Sequence, residues 1–182
     1  MKTVLVTLAE GFEEIEAITV IDILRRAGAE VTVAGLTEGT ITASRQTKHI
    51  PDCLLEEVKD KDFDLVYLPG GLPGATHLQN SETVKAILKR HSKNEKLVSA
   101  ICAAPNVLGH AGILDGKTFT CNPAEKAKIV AGNYVESRLE VDGKIVTGKS
   151  AGTTMELAFK LVELLYGKEK VTEVNAGVHA KI

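Results

Sequence analysis

Short runs of apolar and β-branched residues recur along the chain, and stretches with helical periodicity separate them. Runs of this kind are typical of strands buried on both faces of a parallel sheet. Four such strands are predicted, at 3–9, 31–35, 64–68 and 97–101. Helices are predicted at 13–27, about 81–91, near 104–111, near 123–131 and about 153–166. This alternation predicts an α/β fold with a doubly wound sheet, whose ligands bind outside the carboxyl ends of the strands.

Turn and capping residues indicate where several elements begin and end. Gly28 ends the first helix and Ser81 begins the second. Thr153 and Glu156 have the spacing of a capping box at the start of the last helix, and Gly167 follows its end. Three smaller features are also predicted: a non-helical insertion at 37–53, a strand near 118–121 and a hairpin around Asp142-Gly143.

The size and charge of the chain narrow the class of protein. With 182 residues, 44% of them hydrophobic, residues 1–182 are predicted to form a single domain with a substantial core. Lys and Arg number 22 against 24 Asp and Glu, a net charge of −2 without a one-signed run. This balance argues against a nucleic-acid partner held by phosphate contacts.

The N-terminus and the cysteines indicate the compartment. The first apolar run is only about seven residues long and is followed by three glutamates, so a strand is predicted rather than a signal peptide. No apolar stretch approaches the roughly 18 residues of a membrane helix. Cysteines at 53, 102 and 121 do not form a disulfide framework. These features predict a protein of the reducing cytoplasm that does not enter the membrane.

Cys102 lies at the corner between a central strand and a helix, within LVSAICAAPNVLGHAG at 97–112. The helix dipole and free N–H groups favour an anion there, which predicts a thiol pKa below the roughly 8.5 of free cysteine. Such a corner also holds the nucleophile of some hydrolases at the sheet edge. Pro105 suits the first turn of the helix. The alternative is that Cys102 is a small buried hydrophobic residue.

Glu16 lies on the apolar face of the first predicted helix. At about 100° per residue it projects among Val20, Ile23 and Leu24. An ionised, unpaired carboxylate is costly there, so Glu16 is predicted to be protonated, hydrogen-bonded or both. A protonated Glu16 could donate to a Cys102 thiolate. Alternatively, Glu16 complements the helix dipole from the first turn and reaches solvent.

Two glycines, Gly70 and Gly71, directly follow the predicted strand 64–68 within LPGGLPG at 68–74. Paired glycines allow a close approach of backbone to ligand. The N–H groups of Gly71 and Ala103 could then form an oxyanion hole beside Cys102. The alternative is a simple turn.

Five segments occur in order along the chain: AEGFEEIE near the start, SRQ at 44–46, LPGG at 68–71, SAICAAP around Cys102 and SAGTTMELA at 150–158. As a set they resemble the ThiJ/PfpI superfamily, and most closely the branch of the Parkinson-linked protein deglycase and its bacterial relatives. The resemblance runs from about residue 2 to 167. It implies a flavodoxin-like sandwich with helices on both faces of the sheet, a homodimer and a reactive cysteine paired with a protonated glutamate.

The same resemblance implies roles for individual residues. Cys102 matches the nucleophile and Glu16 its partner carboxyl. Gly71 and Ala103 match the oxyanion-hole amides, and Arg45 matches a motif arginine near the pocket. Further pocket candidates are Gly70, Asn122 and Cys121.

Two departures from the family pattern affect the predicted chemistry. Ala103 stands where the proteolytic branch has a histidine, so the Cys-His nucleophile of an intracellular peptidase is missing. Asn122 stands where the Parkinson-linked relative has a histidine, and it can supply only a hydrogen bond.

The remaining cysteines, histidines and exposed isoleucines have simpler interpretations. Cys53 is predicted to pack or to lie at the surface, whereas Cys121 near the pocket could be oxidised or form a disulfide with Cys102. Ile15 and Ile18 lie on the polar face of the first helix and suggest the seam of a homodimer. Five histidines lack metal-ligand spacing and are predicted to be structural or solvent-facing, without a metal: His49, His77, His91, His110 and His179.

The predicted function is that of a cysteine-dependent glyoxalase or deglycase that needs neither glutathione nor a cofactor. Its substrates would be 2-oxoaldehydes such as methylglyoxal, or their adducts with protein or nucleotide groups. The alternative is a redox-sensing stress-response protein or chaperone controlled by oxidation of Cys102. Thiamine-precursor synthesis, a third label of the family, has no residue here to support it.

Overall fold

A computed structural model describes residues 1–129 and 131–182, and a seven-stranded sheet runs through them. The strands are β1 (Thr3–Leu8), β2 (Glu30–Gly35), β3 (Ile41–Thr42), β4 (Lys48–His49), β5 (Cys53–Leu54), β6 (Leu65–Leu68), β7 (Leu97–Ile101), β8 (Thr118–Phe119), β9 (Asn133–Tyr134), β10 (Leu139–Asp142) and β11 (Ile145–Gly148). The main sheet has the order β10-β11-β7-β6-β1-β2-β5, and every neighbouring pair except β10–β11 is parallel. The four predicted parallel strands are confirmed.

Helices cover both faces of this sheet. They are α1 (Glu14–Arg26), α2 (Leu55–Val58), α3 (Gly74–Asn80), α4 (Glu82–Lys93), α5 (Pro105–His110), α6 (Thr154–Tyr166) and α7 (Lys168–Val178). One hydrophobic cluster contains Val4 and Val6 of β1 with Leu24 of α1 and residues of α6. A second cluster contains Leu5 of β1 with Leu88 of α4 and residues of α5. Because successive side chains alternate, β1 is buried on both faces, as its sequence predicts.

Several predicted boundaries are confirmed. The Ser81 side chain caps α4 by accepting a hydrogen bond from Val84 N at 3.3 Å. Gly28 follows α1 with a φ of 86°. The insertion at 37–53 contains no helix, and the chain reverses at Asp142-Gly143 between the antiparallel strands β10 and β11.

The predicted helix near 123–131 is wrong for its described residues, which contain only a 3-10 turn at Lys126–Lys128. Val130 lies outside the described residues. Residues 126–128 are exposed and Ile129 is the buried residue beside them, so the segment has no apolar face to hold a helix against the core.

The predicted capping box at the last helix is also wrong. Glu156 does not reach back to Thr153, because both its carboxylate oxygens accept hydrogen bonds from Arg138. A 3-10 turn at Ala151–Thr153 leads into α6 instead. Helices α2, α3 and α7 are not among the elements that the sequence predicts. In α7 only Val174 is buried, so the helix lacks the apolar periodicity that would identify it.

The sheet order determines where loops meet. Strand β6 lies between β1 and β7, so the loops after these three strands emerge side by side at one edge. Among the described residues, no helix has the length and apolarity needed to cross a membrane.

Candidate active site

Three loops at the carboxyl edge of the sheet bring the predicted site residues together. The loop after β1 leads to Glu16 in the first turn of α1, the loop after β6 contains Gly70 and Gly71, and Cys102 directly follows β7. Parallel strands place these loops at the same edge. The structure therefore brings four sequence-predicted residues to one site from segments that are far apart in the chain.

Cys102 occupies a strained backbone position. Its φ is 64°, in the left-handed region that residues other than glycine rarely adopt. Two hydrogen bonds hold it there: Cys102 N donates to Gly148 O at 3.0 Å, and Asn122 N donates to Cys102 O at 2.9 Å. The side chain is half-buried and lines a cleft. Cys102 also packs against a hydrophobic cluster, as the alternative of a small buried residue predicts, but it is only partly buried.

Glu16 lies beneath the cleft, fully buried. Its Oε2 accepts a hydrogen bond from Gly70 N at 2.8 Å, and its carboxyl lies beside Cys102. Burial raises the pKa of Glu16 to about 7, and the charge of Glu13 adds to this, while the nearby Cys102 thiol and the hydrogen bond from Gly70 oppose it. The alternative in which Glu16 reaches solvent is wrong.

Gly70 allows this contact because it has no side chain. A Cβ at this position would lie 2.7 Å from Glu16 Oε2 and 2.8 Å from both Cys102 Cβ and Ile101 O. The carboxyl and the cysteine therefore meet across the space that a larger residue would fill.

The predicted low pKa of the Cys102 thiol is wrong. Burial raises its pKa to about 12, and the charge and hydrogen bond of Glu16 add to this effect, whereas Asn122 and the Ala103 N–H lower it. Helix α5 has only six residues, so its dipole is outweighed by lost solvation and the nearby carboxylate. Between pH values of about 7 and about 12, Glu16 and Cys102 together hold one proton.

The cleft above this pair has a volume of about 290 Å³. Gly71 and Ala103 line it, and within the described residues neither N–H donates to a backbone carbonyl. Gly71 has a φ of 89°, and a Cβ there would lie 2.4 Å from Glu13 N, so only glycine fits. Among the residues that the structure describes, the lining consists of Glu13, Ser44, Arg45, Gly71, Leu72, Cys102, Ala103, Asn122, Ala124 and Glu125.

Asn122 and Arg45 lie at the cleft as predicted. The Asn122 Nδ2 donates to Cys102 Sγ at 3.7 Å, and its Oδ1 accepts from Ala124 N at 3.0 Å, which fixes the orientation of the amide. Arg45 is exposed, and its guanidinium donates to Ser44 O at 3.2 Å.

Cys121 and the histidines do not line the cleft. Cys121 is fully buried in the hydrophobic cluster that contains α4 and α5, whereas Cys102 contacts the cluster on the other face of the sheet. Burial raises the pKa of Cys121 to about 11. Within the described residues, no group of three or more His, Cys, Asp or Glu side chains is arranged to hold a metal ion.

Sequence reasoning missed Glu13, Ser44 and Glu125. Glu13 had a usable signal, since it lies directly before the first helix, where a side chain can cap the free N–H groups. Ser44 and Glu125 lie in irregular segments whose position depends on the folded chain.

Comparison with known proteins identifies the family. The model of the DJ-1/PfpI family matches residues 2–164. The chain belongs to the DJ-1/PfpI family. The predicted resemblance is thereby confirmed.

Individual DJ-1/PfpI relatives extend this result. "Protein DJ-1 homolog B" of Arabidopsis thaliana is 45% identical over 96% of this chain, which spans only 40% of that protein. "Glutathione-independent glyoxalase DJR-1.2" of Caenorhabditis elegans is 35% identical over 91% of this chain and 89% of its own length. The crystal structure of Drosophila melanogaster DJ-1beta superposes with a TM-score of 0.96 at 42% identity, covering 100% of this chain and 99% of that one. The predicted flavodoxin-like fold is confirmed.

Proposed function

We propose that the protein is a cysteine-dependent glyoxalase or deglycase that acts on small 2-oxoaldehydes, or on their adducts, without glutathione. The observation that carries this proposal is the adjacent pair of buried Glu16 and half-buried Cys102 at the base of the cleft. A thiol and a carboxyl that share one proton provide both a nucleophile and a proton carrier. The relative named as a glutathione-independent glyoxalase supports the same activity.

The first step joins the substrate to the cysteine. With the shared proton on Glu16, Cys102 Sγ attacks the aldehyde carbon, a C–S bond forms, and the carbonyl electron pair moves onto oxygen. The N–H groups of Gly71 and Ala103 line the cleft and stabilise this oxyanion until it is protonated.

The second step is an internal transfer of hydrogen. Glu16 first gives its proton to the oxyanion, and its carboxylate then removes the proton from the carbon that carries sulfur and returns it to the neighbouring carbonyl carbon. The hydroxyl proton passes to the oxygen of that neighbouring carbon, so the carbonyl group is now on the carbon that carries sulfur. The product is a thioester, formed without an external oxidant. Water cleaves it to lactate from methylglyoxal, or to glycolate from glyoxal, and restores the Cys102 thiol. With an adduct as substrate, the protein or nucleotide group leaves.

The test is the loss of methylglyoxal without glutathione, with lactate formation measured in parallel. Wild type should turn over, Cys102→Ser should not, and Cys53→Ser should retain turnover because Cys53 lies outside the cleft lining. Absence of turnover in wild type, or equal turnover in Cys102→Ser, would overturn the proposal.

A second candidate function is redox sensing through Cys102. Two donors face its sulfur, the Asn122 amide and the Ala103 N–H, and these could stabilise an oxidised, anionic sulfur. Peroxide would transfer one oxygen to the thiolate to give a sulfenic acid and hydroxide, and a second peroxide would oxidise the sulfenic acid to a sulfinic acid with release of water. Mass spectrometry after mild peroxide should show a selective gain of two oxygens at Cys102. An unmodified Cys102 would argue against the sensor.

A homodimer is proposed through the exposed face of α1. Ile15 and Ile18 are 55% and 39% exposed, and Ile18 lines a groove together with Ile50, which is 80% exposed. Apolar surface of this kind is typical of an interface. Sedimentation should show a dimer in wild type and a monomer in Ile15→Lys/Ile18→Lys, and a monomeric wild type would contradict the proposal.

A further inference from the structure

We propose that Glu13 is a positioning residue for the proposed reaction: it fixes the turn that aims Glu16 at Cys102, and its charge increases the share of the pair's single proton that Glu16 holds. The catalytic consequence rests on the proposed function. The hydrogen-bond geometry around Glu13 does not rest on the proposed function, because it involves only groups of the protein.

Three hydrogen bonds form a closed ring around the carboxyl of Glu16. Glu13 N donates to Gly70 O at 2.9 Å. Gly70 N donates to Glu16 Oε2 at 2.8 Å, and Glu16 N donates to Glu13 Oε2, also at 2.8 Å. Glu13 thus holds the backbone N–H of Glu16, Gly70 holds its carboxyl, and Glu13 and Gly70 are hydrogen-bonded to each other. A shift of Glu13 must therefore move Glu16 relative to Cys102.

Close packing around the ring leaves little room for Glu13 or Glu16 to take another position. A Cβ at Gly71 would lie 2.4 Å from Glu13 N, and a Cβ at Gly70 would lie 2.7 Å from Glu16 Oε2. The backbone of Glu13 thus packs directly on the paired glycines. The side chain of Glu13, half-buried, caps α1 and also lines the cleft.

The charge of Glu13 acts on Glu16. It raises the pKa of Glu16 in the same direction as burial does. The other ionisable groups at this carboxyl are Cys102, from the corner after β7, and Tyr67 of β6, whose hydroxyl donates to Glu16 O at 2.8 Å. Helix α6 also packs against α1, and it contributes the apolar residues Leu157 and Leu161 to the hydrophobic cluster that the two helices share.

The effect on the reaction follows from where the single proton lies. With a negative Glu13 beside it, Glu16 carries the negative charge of the pair less readily, so a larger share of that charge lies on sulfur than it would without Glu13. Removing the Glu13 charge should have two effects. The pair should lose its first proton at lower pH, and the share of thiolate after that loss should fall.

Glu13→Gln tests this, because glutamine retains an oxygen that can accept from Glu16 N while the charge is removed. The measurement is the rate of Cys102 alkylation by iodoacetamide against pH, with the carboxyl carbon of Glu16 followed by NMR. Relative to wild type, the midpoint should move to lower pH by about 0.5 unit or more, and the plateau should fall. An unchanged or higher midpoint would overturn the role of the charge.

Two further variants separate charge from structure. Glu38→Gln makes the same change of net charge at an exposed residue outside the cleft lining, and its profile should match wild type. Glu13→Ala also removes the cap, so its midpoint should move as in Glu13→Gln while its Tm falls further. A shift in Glu13→Ala alone would make Glu13 only a helix cap and overturn the proposal.

The alkylation and NMR readouts need no substrate, so they test Glu13 even if wild type does not consume methylglyoxal. Where wild type does turn over, kcat in Glu13→Gln should fall with little change in KM, because Glu13 acts through Glu16. A rise in KM with unchanged kcat would instead make Glu13 a substrate contact and overturn the positioning role.

Discussion

Glu16 and His91 are both ionisable and both 0% exposed, yet the protein surrounds them differently. His91 in α4 has a partner at each ring nitrogen: Nε2 accepts from Phe63 N at 3.0 Å, and Nδ1 donates to Ile87 O at 2.8 Å. Glu16 Oε2 accepts from Gly70 N, but within the described residues Oε1 has no hydrogen-bond partner of ordinary geometry and the carboxyl contacts a thiol.

The difference separates a structural role from a chemical one. The two partners of His91 fit only the neutral ring, and burial lowers its pKa further, so it stays in one protonation state. Burial instead raises the pKa of Glu16 to about 7, where its proton can move. A buried ionisable group whose polar atoms all have hydrogen-bond partners stabilises the fold. A buried group with an unpaired polar atom beside a nucleophile is available for proton transfer.

The largest expected effect is on turnover in Glu16→Gln. Glutamine preserves the size of the side chain and an acceptor for Gly70 N, but it carries no transferable proton. Turnover of methylglyoxal should fall by about 10²- to 10⁴-fold, the usual contribution of a general acid–base group. Circular dichroism should remain native, and Cys102 should still react with iodoacetamide, since loss of the carboxylate removes a charge that raises the thiol pKa. Normal turnover would refute the acid–base role.

The next effect is the pH dependence of stability. The pKa of Glu16 is about 7 in the folded protein, against an ordinary value of 4.5 for a glutamate in the unfolded chain, so the folded state binds more protons between these values. The stability contributed by this group is present below pH 4.5 and is lost as pH rises through 7, by about 3 kcal/mol. Urea unfolding of wild type and Glu16→Gln across this range should show that difference. Parallel curves would contradict the raised pKa.

A comparable loss of stability is expected in His91→Leu, without loss of chemistry. Leucine leaves the buried Phe63 N–H unpaired, which costs about 1–3 kcal/mol in the free energy of unfolding at pH 8. The pH dependence is opposite to that of Glu16. Because the folded pKa lies below 6.5, the His91 contribution is present above pH 6.5 and is lost as pH falls through the folded pKa.

The matched measurement is the rate of Cys102 alkylation in the same variant. His91 is on α4 and stacks on Phe63, which belongs to the hydrophobic cluster on the other side of the sheet from the cluster that Cys102 contacts, so the rate should equal that of wild type. A large change in alkylation would show that the two buried groups are coupled and would remove the distinction drawn between them.

The places of Glu16 and Cys102 in the site could be predicted from local sequence. The pKa of the thiol depends on contacts between distant segments. Glu16 was identifiable because helical periodicity places a carboxylate among apolar residues, and Cys102 because a thiol stands where a strand turns into a helix. The direction of the Cys102 pKa was not predictable. It depends on burial and on a carboxylate from another segment, and these outweigh the dipole of a short helix.

Glu13 and the segment at 123–129 illustrate the same limit. Glu13 acquires its role from the carbonyl of Gly70, which only the pairing of β1 with β6 brings near. The 123–129 segment has helical spacing but exposes most of its residues, and its position depends on Asn122 bonding to Cys102 O. Local periodicity identifies elements that bury a face, and it fails for segments that tertiary hydrogen bonds hold in place.

The smallest expected effect concerns Asn122, the amide donor to the thiol. Its bond to Sγ is 3.7 Å long, and such a weak bond contributes less than about 1 kcal/mol, so Asn122→Ala should slow alkylation of Cys102 by about five-fold at most. Asn122→Asp is the informative partner, because its carboxylate can still accept from Ala124 N and so preserve the loop. It replaces a donor with a negative charge that raises the thiol pKa, so alkylation should be slower than in Asn122→Ala. If alanine were the slower variant, the geometry of the loop rather than the amide donor would control the reactivity of Cys102.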